Sequence, residues 1–177
     1  MARTVPMNRL LQGDVGSGKT LVAQYAMLLC VASECQAALM APTEVLARQH
    51  FGNLQNSLKQ SRVRIGLLVG SLSRKQRQEV LEQLDSGEID LIVGTQALLS
   101  SDVSYKRLGL VIVDEQHKFG VLQRAKLRSD DLQPHNLILS ATPIPRTIAM
   151  TAFGDLEVST IRDLLPGRVS AYLSCNT

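Results

Sequence analysis

Short apolar runs alternate along this chain with longer segments in which apolar residues recur every three or four positions. The short runs are apolar on both faces, which is typical of parallel strands that helices cover on both sides. Alternating strands and helices predict an α/β fold with a mostly parallel sheet and helices on both of its faces. Strands are predicted over residues 9–12, 37–41, 64–69, 91–94, 110–113 and 137–140.

Helices are predicted in the longer gaps between these runs. The first, Lys19–Ala32, is largely apolar, so we expect it to be well buried. Thr43 is a suitable N-cap for the second helix, and Ser73 opens the third with a capping box. Gly87 suits the end of the third helix, and a fourth is expected over residues 146–153.

The composition predicts one folded domain in a reducing compartment. The chain has 177 residues, 45% hydrophobic and 20% charged, which argues against long disorder. Its cysteines, Cys30, Cys35 and Cys175, lack CxxC spacing, so we expect no disulfide framework or zinc ribbon and a cytoplasmic location. The longest mostly apolar run, residues 21–32, is too short to cross a bilayer. A net charge of +3 permits a polyanionic partner without requiring one.

A phosphate-binding loop is the strongest chemical signal in the sequence. The pattern GxxxxGK[ST] follows a predicted strand and opens a predicted helix, which is the context that this motif needs. The loop N–H groups and the helix N-terminus would bind an anion together. Lys19 would reach the β- and γ-phosphates, and the Thr20 hydroxyl would face Mg²⁺. The nucleotide-binding residues predicted from the motif are Gly13, Asp14, Val15, Gly16, Ser17, Gly18, Lys19 and Thr20.

Two carboxylates, Asp114 and Glu115, directly follow an apolar run. We expect them at the carboxyl edge of the sheet, where the phosphate loop also lies. Asp114 would hold Mg²⁺, usually through water, and Glu115 would orient and polarise the attacking water. The alternative is a solvated acidic turn. The upstream phosphate loop favours the functional interpretation, in which Lys19 and Glu115 are catalytic.

Longer strings extend these motifs into a family resemblance. The acidic pair continues as Asp114-Glu115-Gln116-His117, and Ser140-Ala141-Thr142 ends the next apolar run. With the phosphate loop, they resemble motifs I, II and III of superfamily 2 helicases. The strings at residues 6–20, 41–50, 114–124 and 141–156 are similar to those of the RecG family of branched-DNA helicases. The resemblance implies a RecA-like P-loop NTPase lobe over residues 1–168, with residues 169–177 as a linker or truncated tail.

The resemblance also implies residues that contact DNA and residues that couple DNA to the nucleotide site. Loops after three of the predicted strands would contact the DNA backbone without reading sequence. The DNA-binding residues are Pro42, Thr43, Arg48, Gly70, Ser71, Thr95 and Gln96. The coupling residues are His117, Ser140 and Thr142.

Full members of the RecG family use ATP to remodel branched DNA in recombination and repair. The resemblance therefore implies an ATP-binding motor lobe, with a second RecA-like lobe and a wedge domain outside the chain. Without the arginine of a second lobe, we expect the chain alone to be nearly inactive. Two alternatives stay open: a nonenzymatic nucleotide- or DNA-binding module, and a lobe of a transcription-repair coupling translocase.

Overall fold

Seven parallel strands form the sheet of this protein, in a computed structural model that describes residues 6–114, 133–141 and 156–161. The parallel α/β sheet expected from the sequence is confirmed, although the last strand is not among those predicted. The strands are β1 Asn8–Gly13, β2 Gln36–Met40, β3 Ile65–Leu68, β4 Leu91–Gly94, β5 Leu108–Asp114, β6 His135–Ser140 and β7 Glu157–Ile161.

Three α-helices lie between the strands in the described part of the chain. They are α1 Lys19–Ala32, α2 Glu44–Ser57 and α3 Arg74–Ser86. Side-chain caps explain where two of them begin. The Thr43 hydroxyl accepts a hydrogen bond from the Leu46 N–H over 3.3 Å, and Ser73 and Gln76 form the predicted capping box. A 3₁₀ helix, Gln96–Leu99, follows β4 and is not predicted by the periodicity.

The strand order is β3-β4-β2-β5-β6-β1-β7, so the parallel strands place all their carboxyl ends along one edge of the sheet. In β1, Gln12 is in register with Ser140 of β6. On the other side of β6, Leu139 is in register with Asp114 of β5. The ends of β7, β1, β6 and β5 therefore form one half of this edge. The ends of β2, β4 and β3 form the other half.

Apolar side chains pack on both faces of the sheet. Along β2 they alternate: Ala37 and Leu39 belong to a cluster with residues of α1 and α2. Ala38 and Met40 belong to a second cluster, with residues of α3 and the 3₁₀ helix. This two-residue alternation is the normal consequence of strand geometry. The prediction of helices on both faces is confirmed.

The first helix is less buried than its sequence predicts. Ala23, Met27 and Cys30 are its buried residues. On its outer side, Leu21 and Tyr25 are 59% and 65% exposed. Only one stripe of α1 therefore contacts the core, and the expectation of a well-buried helix was wrong. Apolar content alone does not determine burial, because a helix on a sheet offers only one side to it.

Several expectations fall on residues that the structure does not describe. They are Glu115, His117, Thr142, the helix over residues 146–153 and the tail over residues 169–177. Among the helices that are described, none has both the length and the apolar character needed to cross a membrane.

Candidate functional site

The loop between β1 and α1 has the backbone conformation of an anion-binding nest. The Ser17 N–H donates to the Asp14 carbonyl over 3.0 Å and forms a tight turn. Gly16 and Gly18 adopt left-handed conformations, with φ of 84° and 92°. Glycine adopts this conformation without steric strain. Turns of this kind direct successive backbone N–H groups toward one concave surface.

The N-terminus of α1 lacks the side-chain cap that the other two described α-helices have. Gly18 is its N-cap residue, and no acidic residue lies in its first turn. By contrast, Thr43 and Ser73 cap α2 and α3. The first N–H groups of a helix have no acceptor within the helix. A phosphate at this end would supply acceptors, so the geometry fits the predicted ligand.

The Lys19 ammonium group lies against the loop that precedes it. Its Nζ atom donates to the carbonyl oxygens of Gly13 and Asp14 over 2.6 and 2.8 Å. The loop itself is closely packed, because a Cβ atom built on Gly13 would lie 2.5 Å from the buried Ser17 hydroxyl. The side chain of Lys19 thus holds a positive charge beside the loop. A phosphate would replace two neutral carbonyls as its partner, with a stronger charge-assisted bond.

Asp114 lies two strands away from this loop, at the same edge of the sheet. Neighbouring strands are about 4.8 Å apart, so the ends of β1 and β5 are separated by about 10 Å. Ser140, predicted as a coupling residue, is buried at the end of β6 between them. The structure therefore brings Lys19, Thr20 and Asp114 to one region of the sheet edge, within the span of a triphosphate and a hydrated cation.

Asp114 has a partner that the motif analysis missed. The Nε2 atom of His50, on α2, lies 2.6 Å from Asp114 Oδ2, and the two side chains are only 13% and 16% exposed. His50 comes three residues after Ala47 and four before Leu54, both of which are buried. A polar side chain within a buried helical stripe needs a hydrogen-bond partner. That position is the sequence signal that would have identified His50.

A small cavity adjoins the His50 side chain. Its volume is about 20 Å³, which is enough for a single water molecule. Thr20, Gln24, His50 and Leu139 are among the residues that line it. The phosphate loop and the partner of Asp114 therefore border the same space.

The side chains at this edge of the sheet suit a magnesium ion that is bound together with a nucleotide. Mg²⁺ keeps several water molecules and takes one or two carboxylates together with phosphate oxygens. Asp114 supplies a carboxylate, and the Thr20 hydroxyl supplies a further oxygen, as the threonine of a phosphate loop does. Within residues 6–114, 133–141 and 156–161, no three His, Cys, Asp or Glu side chains cluster into a dedicated metal site. A cation held jointly with phosphates fits this donor set.

The other half of the edge brings together residues predicted to contact DNA. Arg48 donates to Glu44 Oε1 over 3.1 and 2.9 Å, and to the Ser71 hydroxyl over 2.9 Å. Ser71 also donates to Glu44 Oε1. Hydrogen bonds from Ser71, followed by those from Arg48, hold the pKa of Glu44 below its ordinary value. The loop after β3 is thereby joined to α2, and the Arg48 guanidinium is engaged by a carboxylate.

The remaining DNA candidates lie on neighbouring loops of the same edge. Pro42 and Thr43 follow β2, and the second of them is exposed. Gly70 is exposed after β3, and a Cβ atom built on it would meet no atom within 4 Å. Thr95 caps the 3₁₀ helix after β4, and Gln96 beside it is exposed. Because β3, β4 and β2 are neighbours in the sheet, the loops that follow them lie side by side at its edge.

Comparison with known proteins decides the family. The DEAD/DEAH box helicase family matches residues 3–151, which is most of the chain. This chain belongs to the DEAD/DEAH box helicase family. The helicase domain is 56% identical to the ATP-dependent DNA helicase RecG of Streptococcus pneumoniae over 162 residues, 92% of this chain and 24% of that protein. It is 51% identical to RecG of Bacillus subtilis over 168 residues, 95% of this chain and 25% of that protein. The resemblance to the RecG family is confirmed.

Solved structures agree with this assignment. The helicase domain matches RecG bound to a three-way DNA junction with a TM-score of 0.82 and 43% identity, over 94% of this chain and 22% of that one. It also matches S. cerevisiae Dbp5 bound to RNA and ADP BeF3, with a TM-score of 0.68 and 22% identity, over 88% of this chain and 42% of that one. The second match shows the fold alone, and the predicted RecA-like fold class is confirmed. The chain spans about a quarter of the length of its curated RecG relatives.

Proposed function

We propose that this helicase domain is the ATP-binding motor lobe of a DNA helicase that remodels branched DNA. The observation that carries the proposal is the shared location of Lys19, the open N-terminus of α1 and the Asp114 carboxylate at one edge of the sheet. Phosphoryl transfer from ATP needs these parts close together, because its catalysis is mainly positioning and charge stabilisation. The DNA helicase names of the relatives, one of them bound to a three-way junction, support the nucleic-acid part.

Each residue of the nucleotide site has its own task in this proposal. Lys19 would leave the carbonyls of Gly13 and Asp14 and bind β- and γ-phosphate oxygens. Thr20 would bind Mg²⁺ through its hydroxyl, and Asp114 would hold the water shell of the ion. Magnesium, when bound, neutralises charge on the phosphate oxygens. Glu115, next to Asp114 in the sequence, would orient the attacking water and accept its proton.

DNA would lie along the other half of the same edge. The hydroxyls of Thr43 and Ser71 and the guanidinium of Arg48 are suited to phosphate oxygens and read no sequence. Thr43 already accepts the Leu46 N–H as a helix cap, and a hydroxyl that accepts one bond can still donate one. Arg48 would exchange the Glu44 carboxylate for a DNA phosphate.

The proposed helicase also needs a second RecA-like lobe and a wedge domain, which lie outside this chain. Residues 1–168 would form the lobe, and residues 169–177 would be a linker. A second RecA-like lobe would close on the nucleotide and supply an arginine that stabilises the transferring phosphoryl group. Ser140, with His117 and Thr142, would couple that closure to the DNA loops, and a wedge domain would meet the branch. The far greater length of the RecG relatives is compatible with both additional parts.

Nucleotide binding tests the ATP part of the proposal. We expect the 177-residue chain to bind a fluorescent ATP analogue in the presence of Mg²⁺. Lys19→Ala should weaken that binding at least about tenfold, because a charge-assisted bond to phosphate is lost. Lys59→Ala removes the same charge from an exposed position beyond α2 and should leave binding unchanged. Equal binding by Lys19→Ala and the unmodified chain would instead favour the nonenzymatic module.

Gly70→Ala tests the DNA path without disturbing the fold. The added methyl group meets no atom within 4 Å, and Gly70 is not in the left-handed conformation, so the Tm should not change. If DNA passes over the Gly70 backbone, the methyl group should weaken binding of a three-way junction, measured by fluorescence anisotropy. Gly52→Ala, on α2, also adds its methyl group to open space and is the matched control. Equal junction affinity for both variants would move the DNA path away from the loop after β3.

A further inference from the structure

We propose that His50 is a positioning residue that holds the Asp114 carboxylate in the orientation that serves Mg²⁺. The inference rests on the proposed function, since it takes Asp114 as the residue that holds the hydrated ion. His50 ends the 41–50 string that carries the family resemblance, but no site role is assigned to it there, and it lies 64 residues from Asp114 in the sequence. Its contribution follows from the contact between the two side chains.

The contact fixes one oxygen of the carboxylate. The 2.6 Å separation joins His50 Nε2 to Oδ2 of Asp114, a distance typical of a short charge-assisted bond. A carboxylate has a second oxygen, and anchoring the first limits the orientations of the second, which would accept a hydrogen bond from a water molecule of the ion. Side chains that hold metal ligands by hydrogen bonds set the orientation of those ligands and strengthen metal binding.

The surroundings favour this role over a purely space-filling one. His50 is 13% exposed and comes from a helix whose buried neighbours, Ala47 and Leu54, pack on the sheet. A residue that only fills space there would be apolar, because a buried polar ring needs a partner. The same ring borders the small cavity that Thr20 also lines. His50 therefore contacts one of the two side chains proposed to serve the ion and lines a cavity together with the other.

Magnesium dependence of nucleotide binding tests the inference. A fluorescent ATP analogue at fixed concentration is mixed with the 177-residue chain, and Mg²⁺ is titrated. His50→Leu should raise the Mg²⁺ concentration at half-saturation by about tenfold, the lower end of the effect of such supporting residues. Binding of the analogue in EDTA and the Tm should stay close to those of the unmodified chain. His50→Gln keeps an N–H donor of similar reach and should recover most of the loss.

A matched control separates this effect from a general change in α2. Asn53→Leu introduces the same side chain three residues further along the helix, beside the same cavity. It should leave the Mg²⁺ midpoint unchanged. Residues that act through one contact show non-additive effects. Adding His50→Leu to Asp114→Asn should therefore produce no further shift beyond that of Asp114→Asn alone.

Three results would overturn the inference. One is an unchanged Mg²⁺ midpoint in His50→Leu. Another is a full further rise in the Mg²⁺ midpoint when His50→Leu is added to Asp114→Asn. The third is a lower Tm of His50→Leu together with weaker binding of the analogue in EDTA that accounts for the whole effect. If His50→Leu does not fold, His50→Asn, which remains polar but is shorter, takes its place in every measurement. Absence of Mg²⁺-dependent binding in the unmodified chain would reject the proposed function itself, and the inference with it.

Discussion

Two cationic side chains at the sheet edge are engaged by oxygen atoms of the chain itself. The Lys19 ammonium binds the neutral carbonyls of Gly13 and Asp14, whereas the Arg48 guanidinium binds the charged carboxylate of Glu44. A phosphate that competes with a carbonyl has the advantage of its charge. A phosphate that competes with a carboxylate has no such advantage, because both groups are negatively charged. A phosphate would therefore replace the present partner more easily at Lys19, in the proposed nucleotide loop, than at Arg48, on the proposed DNA surface.

Glu44→Gln should strengthen DNA binding, because it removes the negative charge that competes with phosphate for Arg48. We expect the affinity for a three-way junction to rise about two- to fivefold, as for the loss of an exposed ion-pair competitor. Fluorescence anisotropy at low salt is the measurement. Glu34→Gln makes the same change in net charge at the opposite edge of the sheet, between α1 and β2. An equal gain in both variants would mean that only net charge matters.

Gly94→Ala should destabilise the domain through a backbone clash. A Cβ atom at Gly94 would lie 2.3 Å from the carbonyl oxygen of Leu68 on the neighbouring strand. Backbone shifts of this kind reduce the free energy of unfolding by about 1–3 kcal/mol. Urea denaturation of Gly94→Ala beside Gly70→Ala, whose methyl group has open space, measures the difference. Equal midpoints for the two variants would contradict the tight approach of β3 to β4.

At the scale of helices and strands, the sequence predicts those elements whose bounds depend on the local pattern of residues. α1 and β4 have the predicted bounds, because glycine or a change in periodicity marks their ends. β7 was missed because it lies at the edge of the sheet and has exposed positions, among them Glu157 and Thr160, so it lacks a continuous apolar run. The four-residue 3₁₀ helix is too short to show a period.

The candidate site likewise has a part that the local sequence predicts and a part that depends on contacts between distant residues. Gly13 through Thr20 form one contiguous motif, so the sequence alone predicts both their location and their shape. The His50–Asp114 contact and the Ser71–Glu44 contact join residues 64 and 27 positions apart. Such pairs depend on how α2 packs across the sheet. No spacing along the chain encodes that packing.

A bidentate ion pair joins the segments that lead into β3 and β4. Arg64 donates to Oδ1 and Oδ2 of Asp90 over 2.8 and 3.1 Å. Burial by itself would raise the pKa of Asp90. The hydrogen bonds from the Arg64 side chain and backbone N–H outweigh burial and hold that pKa below the ordinary 3.8. The carboxylate is thus favoured in the folded chain.

Asp90→Asn should therefore destabilise the domain in a pH-dependent way. Because the folded-state pKa of Asp90 is lowered, its contribution is complete well above pH 3.8 and is lost as the pH falls through the folded value. We expect a difference of about 1 kcal/mol in the free energy of unfolding at pH 7 that shrinks below about pH 4. Urea denaturation across pH 3–7 measures it, with Asp85→Asn on α3 as the control for charge removal. A difference that is constant across this range would contradict the role of the ion pair.

At the scale of the whole molecule, the 177-residue chain alone should hydrolyse ATP very slowly. A typical kcat of about 10 s⁻¹, lowered by the ~10³–10⁵ that an arginine finger contributes, gives about 10⁻² to 10⁻⁴ s⁻¹. Phosphate release with and without a three-way junction measures this rate, and Glu115→Gln gives the background. Rapid, DNA-stimulated turnover by the isolated chain would show that no second lobe is needed.

The order of strands in the sheet determines which parts of the domain can be exchanged as a single segment of sequence. The backbone first forms β1 in the half with the phosphate loop, then β2, β3 and β4 in the other half, and returns to the first half with β5, β6 and β7. No single cut in the gene would therefore release either half as a module. A chimera that borrows the nucleic-acid loops of another motor needs two splice points, one between β1 and β2 and one between β4 and β5. The proposed ATP site and the proposed DNA surface therefore depend on the same continuous sheet.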